Sequence, residues 1–271
     1  MGTAASDRHM FDRPDAATAA ALARLYDLDL VDDPGDLDLY LALADRADGR
    51  VLELAAGSGR LAVPIARAGH PVTAVDLDPA MLVRGRERAV AADLPEQRLH
   101  FVEADLLGLR LPDAGHYAFA FIALNSIMLL GTRAAQREAI ATLASHLASG
   151  GIATVDAWLP DAEDLARFDG RVILEWPRTD PDTGHIVTKA GSAQHDAATG
   201  VVTLTSIYED GAQGAPPARW VRRDRLRLIS ADELAGFAED AGLRVEVVAG
   251  GYDLDELGPG SDRAILVAGK P

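Results

Sequence analysis

A chain of 271 residues, 48% of them hydrophobic, has apolar material for one large domain or two modest ones. Its formal net charge of −16 argues against general affinity for DNA, RNA or anionic membranes, because phosphate binding rests on clustered Lys and Arg. The absence of Cys excludes disulfides, thiolate zinc sites and a cysteine nucleophile, and fits a cytoplasmic setting.

The opening MGTAASDRHM carries Asp7, Arg8 and His9 where a signal peptide would have its apolar stretch. Gly2 and Ser6 match a myristoylation pattern, although one acyl chain anchors so acidic a chain only marginally. Residues 1–45 are expected to form a helical arm, its first 20 residues loose or docked late.

From Val51 onward, short apolar runs alternate with amphipathic segments, the pattern of βαβ units and a mainly parallel sheet. Strands are predicted near Val51–Ala55, Val72–Val75, Leu99–Val102, Tyr117–Ala123 and Gly151–Asp156. Helices are predicted over Ser58–Ala68, stopped by Gly69, over Pro79–Ala92, capped by Asp78, and over Arg133–Leu147. The most apolar run, Ala118–Leu130, is broken by Asn125 and Ser126 and falls short of the roughly 20 residues of a membrane span. Past Pro160 the predicted segments Arg171–Trp176, His185–Ala190, Val201–Tyr208 and Trp220–Leu228 are separated by turn clusters, which indicates antiparallel hairpins. Ser230 and Glu233 form a capping box, Gly242 closes that helix, and strands near Leu243–Val248 and Ala264–Val267 finish the chain. The expected organisation is an arm over 1–45, an α/β core over 46–160, an antiparallel insertion over 161–229, and a final helix with two strands over 230–271.

The segment VLELAAGSGR, Val51–Arg60, runs an apolar strand into a glycine turn that opens a helix. Backbone amides there point at whatever sits above the turn, and Gly57 and Gly59 would admit a ligand without an intervening Cβ. A dinucleotide fingerprint needs three glycines, G-x-G-x-x-G, and in that frame Ala55 and Arg60 fail. Glu53 suits a cation better than a pyrophosphate. Asp76, at the end of the next strand, lies a suitable distance past Gly59 to accept hydrogen bonds from both hydroxyls of a ribose. Asp78 reads as the cap of the following helix, and Leu77 and Met81 could wall a purine or be ordinary core.

The frame E-x-A-x-G-x-G, comprising Glu53, Ala55, Gly57 and Gly59, resembles the first motif of class I S-adenosylmethionine-dependent methyltransferases. The resemblance covers residues 50–160 well, and the C-terminal helix and two strands also look like the end of these enzymes. It implies an α/β Rossmann-like fold with a seven-stranded, mostly parallel sheet whose last strand is antiparallel, plus the hairpin insertion after the fifth strand. It also implies S-adenosylmethionine as cofactor and S-adenosylhomocysteine as product. Glu53 would then act at the methionine end, Asp105 and Leu106 at the adenine edge, and Leu124, Asn125 and Ser126 beside the reactive methyl group. The pair Tyr26–Asp27 is similar to a leading segment of glycine and sugar-amine N-methyltransferases, in which a tyrosine closes over the cofactor. Ala118 departs from the family, which usually has an Asp near the start of that strand. The Gly150–Gly151 turn before the fifth strand is expected to be structural.

In-line methyl transfer needs alignment in a dry pocket and can proceed without a base if the acceptor is a neutral amine; a hydroxyl would need one. His185, His195, Tyr208 and Tyr252 are the candidates for catalysis, and Trp158, Trp220 and Arg227 join Ser126 as candidates for the acceptor wall. Arg223, Arg225 and Arg227 alternate on a predicted strand and would either hold an anionic substrate or form a solvated face. The His spacing predicts no metal. The expected function is methylation of a small-molecule acceptor, at N or O, by a monomer or homodimer without nucleic-acid or membrane partners. The alternatives are a cofactor-binding protein of the same fold without transfer activity and a nicotinamide-dependent oxidoreductase.

Overall fold

The computed structural model describes residues 14–271 except 33, 212, 213 and 215; the Gly2–Ser6 pattern lies outside the described residues. Two helices lead: α1 (Ala16–Asp29), whose N-cap Asp15 accepts from the amides of Ala17 and Thr18, and α2 (Leu37–Ala47), ended by Asp48 in the left-handed region. Strands and helices then alternate as β1 (Val51–Leu54), α3 (Ala62–Arg67), β2 (Val72–Asp76), α4 (Pro79–Ala91), β3 (Leu99–Glu103) and β4 (Tyr117–Ile122). A short 3-10 turn, Ser126–Leu129, leads to α5 (Arg133–His146), β5 (Leu147–Trp158) and α6 (Ala162–Arg167). Four hairpin strands follow, β6 (Ile173–Thr179), β7 (Ile186–Asp196), β8 (Val201–Gly211) and β9 (Ala218–Arg227), before α7 (Ala231–Asp240), β10 (Arg244–Ala249) and β11 (Arg263–Gly269).

Seven strands form one sheet in the order β10-β11-β5-β4-β1-β2-β3. The pairs among β1–β5 are parallel, and β11 runs antiparallel to both β5 and β10, as expected from the sequence. Helices cover both faces, so the central strand β1 is buried along its length and reads as a continuous apolar run broken only by Glu53. On one face Ile140 and Leu143 of α5 pack with Leu234 and Phe237 of α7; on the other, Tyr40 and Leu43 of α2 pack with Ile65 of α3 and Leu82 of α4.

The insertion is a separate antiparallel sheet, β6-β7-β8-β9, whose turns are set by Asp180, Asp196 and Gly200. A small core of Leu25, Leu28, Val187 and Tyr208, flanked by Trp176 and Trp220, joins it to α1.

Three local expectations change. The helix predicted from Ser58 starts at Ala62, because left-handed Gly57 and Gly59 keep the chain in turns until Leu61. Gly150 and Gly151 lie within β5 at an irregular register with β4, where a Cβ on Gly151 would meet the carbonyl oxygens of Ala148 at 2.9 Å and Tyr117 at 3.0 Å. The capping box of Asp161 and Asp164 starts α6, which the sequence reading left unassigned.

Candidate functional site

The carboxyl ends of β1, β2, β3 and β4 meet at a cavity of about 820 Å³, roofed by α1 and closed on one side by β9. Open α/β sheets place ligands there, because chain reversals at the strand ends leave a crevice. At the β1 exit Ala55, Gly57 and Gly59 all have positive φ, of 59°, 55° and 73°. A Cβ on Gly57 would meet no atom within 4 Å, so this glycine opens toward free space in the cavity wall. A Cβ on Gly59 would meet the Phe101 ring at 3.0 Å, so that glycine serves packing.

The turn is locked to the tip of β2. Gly57 N donates to Asp76 Oδ2 at 2.7 Å and Asp78 N to Asp76 Oδ1 at 2.8 Å, while Asp78 caps α4 through the amide of Ala80. Burial pushes the Asp76 carboxyl above its ordinary value, and its two oxygens keep further lone pairs for a hydroxyl-bearing ligand. Glu53 lies beneath the turn with 3% of its surface exposed, and its Oε2 has no hydrogen-bond partner among the described residues. Burial raises it to about 8 against the opposing pull of Arg60.

At the β4 exit, Leu124 and Asn125 are consecutive residues with φ of 50° and 64°, a conformation side chains adopt only when held. Asp156, fully buried on β5, holds it by accepting from Leu124 N at 2.9 Å and Asn125 N at 3.3 Å. The same carboxylate accepts from Tyr40 Oη at 2.8 Å and Arg263 Nη1 at 3.4 Å. Asn125 Oδ1 takes the amide of Trp158 at 2.6 Å, which fixes its side chain.

Helix α1 is tied to three neighbours by charge. Asp27, 9% exposed, accepts from Ser58 Oγ at 2.5 Å, from Arg88 Nη2 at 2.8 Å and from Arg84 Nε. Arg24 pairs with Asp180 and Asp210 of the hairpin sheet, and Asp29 accepts from Lys189 Nζ at 2.5 Å and Trp176 Nε1 at 3.0 Å. Just beyond α1, Asp36 forms a bidentate pair with Arg60 at 2.7 and 2.5 Å.

Residues 51–151 match the family model described as a methyltransferase domain. Over these residues the chain is similar to methyltransferase domains. Its fold is similar over most of its length to an S-adenosylmethionine-dependent methyltransferase from Clostridium acetobutylicum, with a TM-score of 0.76 at 14% identity, covering 92% of this chain and 98% of that one. The CcbJ methyltransferase from Streptomyces caelestis gives a TM-score of 0.71 at 23% identity over 90% and 96% of the two chains. DesVI of Streptomyces venezuelae gives 0.71 at 22% over 92% and 98%. Among curated proteins, a stretch of 49 residues is 53% identical to the uncharacterized protein Rv1403c of Mycobacterium tuberculosis, 18% of each chain. The match therefore spans less than a fifth of that relative.

The cavity brings together Tyr26, Ala55, Gly57, Asp76, Leu77, Met81, Leu106, Leu124, Asn125 and Ser126 of the residues singled out from sequence. Glu53 and Gly59 lie behind the glycine turn, and Asp105, whose Oδ1 accepts from Leu107 N at 2.8 Å, shapes the β3 exit loop. The candidates for catalysis lie outside the cavity lining: His185 pairs with Asp210 at 2.6 Å, the amide of His195 bonds to Phe168, Tyr208 is core, and Tyr252 accepts from Arg263 at 2.6 Å. Trp158, Trp220 and Arg227 are likewise not in the lining; Trp158 packs on Phe168, Trp220 on the α1 core, and Arg227 on Gln136 and Glu233.

The sequence reading missed Leu22 and Asp29 of α1, Leu129, and Arg222 and Asp224 of β9, all of which line the cavity. For β9 a signal was present. Trp220 and Leu226 share the parity of Arg222 and Asp224, so the even positions mark the inward face, whereas Arg223 and Arg225 are exposed.

Proposed function

We propose that this chain is an S-adenosylmethionine-dependent methyltransferase that methylates a small-molecule acceptor at nitrogen or oxygen. The observation that carries the reading is the junction of Gly57 and Asp76: an open glycine turn whose amide is fixed by a carboxylate, facing a cavity of about 820 Å³. The residues fit the cofactor. Asp76 can accept from ribose hydroxyls, Leu77, Met81 and Leu106 offer an apolar slot for a flat ring, and the orphaned Glu53 Oε2 offers an unused hydrogen-bond acceptor beneath the turn. When bound, that group supplies an activated methyl for in-line displacement.

The chain's own residues contribute position and dryness. Asp156 fixes the Leu124–Asn125 turn at one side of the cavity, and α1, held by Asp27 and Asp29, excludes water from above. Tyr26 belongs to this cover; burial pushes its hydroxyl up to about 12, so it stays protonated and can donate a hydrogen bond. None of the four candidate bases named from sequence lines the cavity, which favours an acceptor that arrives neutral, such as an amine. The relatives in fold include an amino pentose methyltransferase from Micromonospora echinaspora and a sugar N-methyltransferase from Streptoalloteichus, which is consistent with nitrogen as acceptor. A net charge of −16 disfavours a nucleic-acid acceptor.

Thermal melting with added ligand tests the reading, since a ligand that binds only the native state raises the midpoint by mass action. S-adenosylmethionine and S-adenosylhomocysteine should each raise it, by several degrees at a hundredfold excess over Kd, and NAD should not. A rise with NAD alone would overturn the assignment.

A further inference from the structure

The acceptor side of the cavity carries unused positive charge. Arg222 projects from the inward face of β9, commits only its Nε to Asp224, at 2.7 and 3.0 Å, and sets its guanidinium 5.7 Å from the centre of the Tyr26 ring. Its two terminal nitrogens are left for a ligand. Arg223, the next residue, reaches the cavity rim but alternates to the opposite, exposed face of the strand. The cavity's acids are otherwise engaged: Asp29 by Lys189, Asp76 by two amides, Asp78 as a helix cap and Asp224 by Arg222.

This wall is placed against the β4 exit. Gln136 of α5 donates from Nε2 to Ile127 O at 3.2 Å and to Arg227 O at 3.0 Å, which clamps the end of β9 to the 3-10 turn that follows Asn125. Between the arginines and that turn the lining is apolar, formed by Leu22, Leu129, Leu204 and Leu226. An anion taken into such surroundings needs charge-assisted partners, and guanidinium supplies them in a geometry that suits carboxylate and phosphate alike.

We propose that the acceptor is amphipathic, with an apolar body and an anionic group, carboxylate or phosphate, that Arg222 binds. The proposal rests on the methyltransferase reading of the same cavity. It makes Arg222 a determinant of acceptor specificity, with the methyl-accepting atom elsewhere on the ligand.

Calorimetric titration of the full chain with inorganic pyrophosphate and, separately, succinate tests it, with and without saturating S-adenosylhomocysteine. The expected result is saturable binding of at least one probe, weakened about tenfold or more in Arg222→Gln, the loss that one charge-assisted hydrogen bond carries, and weakened much less in Arg223→Gln on the opposite face. Pyrophosphate as the better probe assigns a phosphate, succinate a carboxylate. No binding of either, or binding that Arg222→Gln leaves unchanged, overturns the proposal. Cooperative melting of each variant verifies folding, and Arg222→Lys, which keeps the charge but loses the two-pronged geometry, keeps the test intact if Arg222→Gln does not fold. Failure of S-adenosylhomocysteine to bind would sink the cofactor reading independently, because the probes are also read without it.

Discussion

Glu53 ends β1 almost completely buried, and burial raises it from an ordinary 4.5 to about 8. Between those values the folded protein holds a proton that the unfolded chain has released. Stability from this group is therefore full below about pH 4.5, falls as pH rises, and levels off above about 8. Asp76 and Asp156, also raised by burial, act with the same sign from lower pH upward. Glu53→Gln keeps the shape and removes the ionisation. Its melting temperature should gain on the wild type steadily between pH 5 and pH 8.5; a difference that does not change with pH would contradict a buried, proton-holding Glu53. The residue scale also shows what sequence can and cannot carry. Asp76 was legible because its spacing from the glycine turn is fixed by the length of one βα unit, and Asn125 because a polar pair interrupts an apolar strand exit. Arg222 was not singled out, since its exposed neighbours Arg223 and Arg225 made the more conspicuous alternation and only strand parity separates the inward face from the outward one.

Helices α1 and α4 show how elements meet at the site. Asp27 joins α1 to Ser58 of the glycine turn and to Arg84 and Arg88 of α4, so the cover is latched to the cavity floor by one carboxylate. In Asp27→Asn Arg88 loses its carboxylate partner and Arg84 keeps only Asp182. The expected cost is about 2 kcal/mol, less than for a fully buried pair because both arginines stay partly hydrated. Hydrogen exchange should speed up across residues 16–29, and unchanged protection there would contradict the latch. In α4, Gly85 occupies a helix interior where alanine is ordinarily better by about 1 kcal/mol. A Cβ there would sit 2.6 Å from the Phe101 ring, which also fills the space beside Gly59. Gly85→Ala should therefore destabilise, by about 1–3 kcal/mol in chemical denaturation, and a gain in stability would show that Phe101 can move aside. Elements of this kind were legible where caps and periodicity agreed, as in α4 and α7. The start of α3 was not, because two left-handed glycines delay a helix whose composition already looks helical.

Across the described residues, one mostly parallel sheet, one antiparallel sheet and a leading helix converge on one cavity. The alternation of strands and helices made the first sheet readable, and turn clusters made the second readable as hairpins. Their mutual placement was not, because it depends on side chains far apart in sequence: Arg24 with Asp180 and Asp210, Asp29 with Lys189, and Gln136 with the β9 backbone. Among the described residues no helix is long and apolar enough to cross a membrane. The central claim, that the Gly57–Asp76 junction holds an adenosyl cofactor beneath α1, is tested most directly by a crystal structure with S-adenosylhomocysteine. The account predicts ribose hydroxyls on Asp76, the ring between Met81 and Leu106, and the sulfur toward Leu124 and Asn125; a ligand seated elsewhere, with the junction closed by protein atoms, would contradict it.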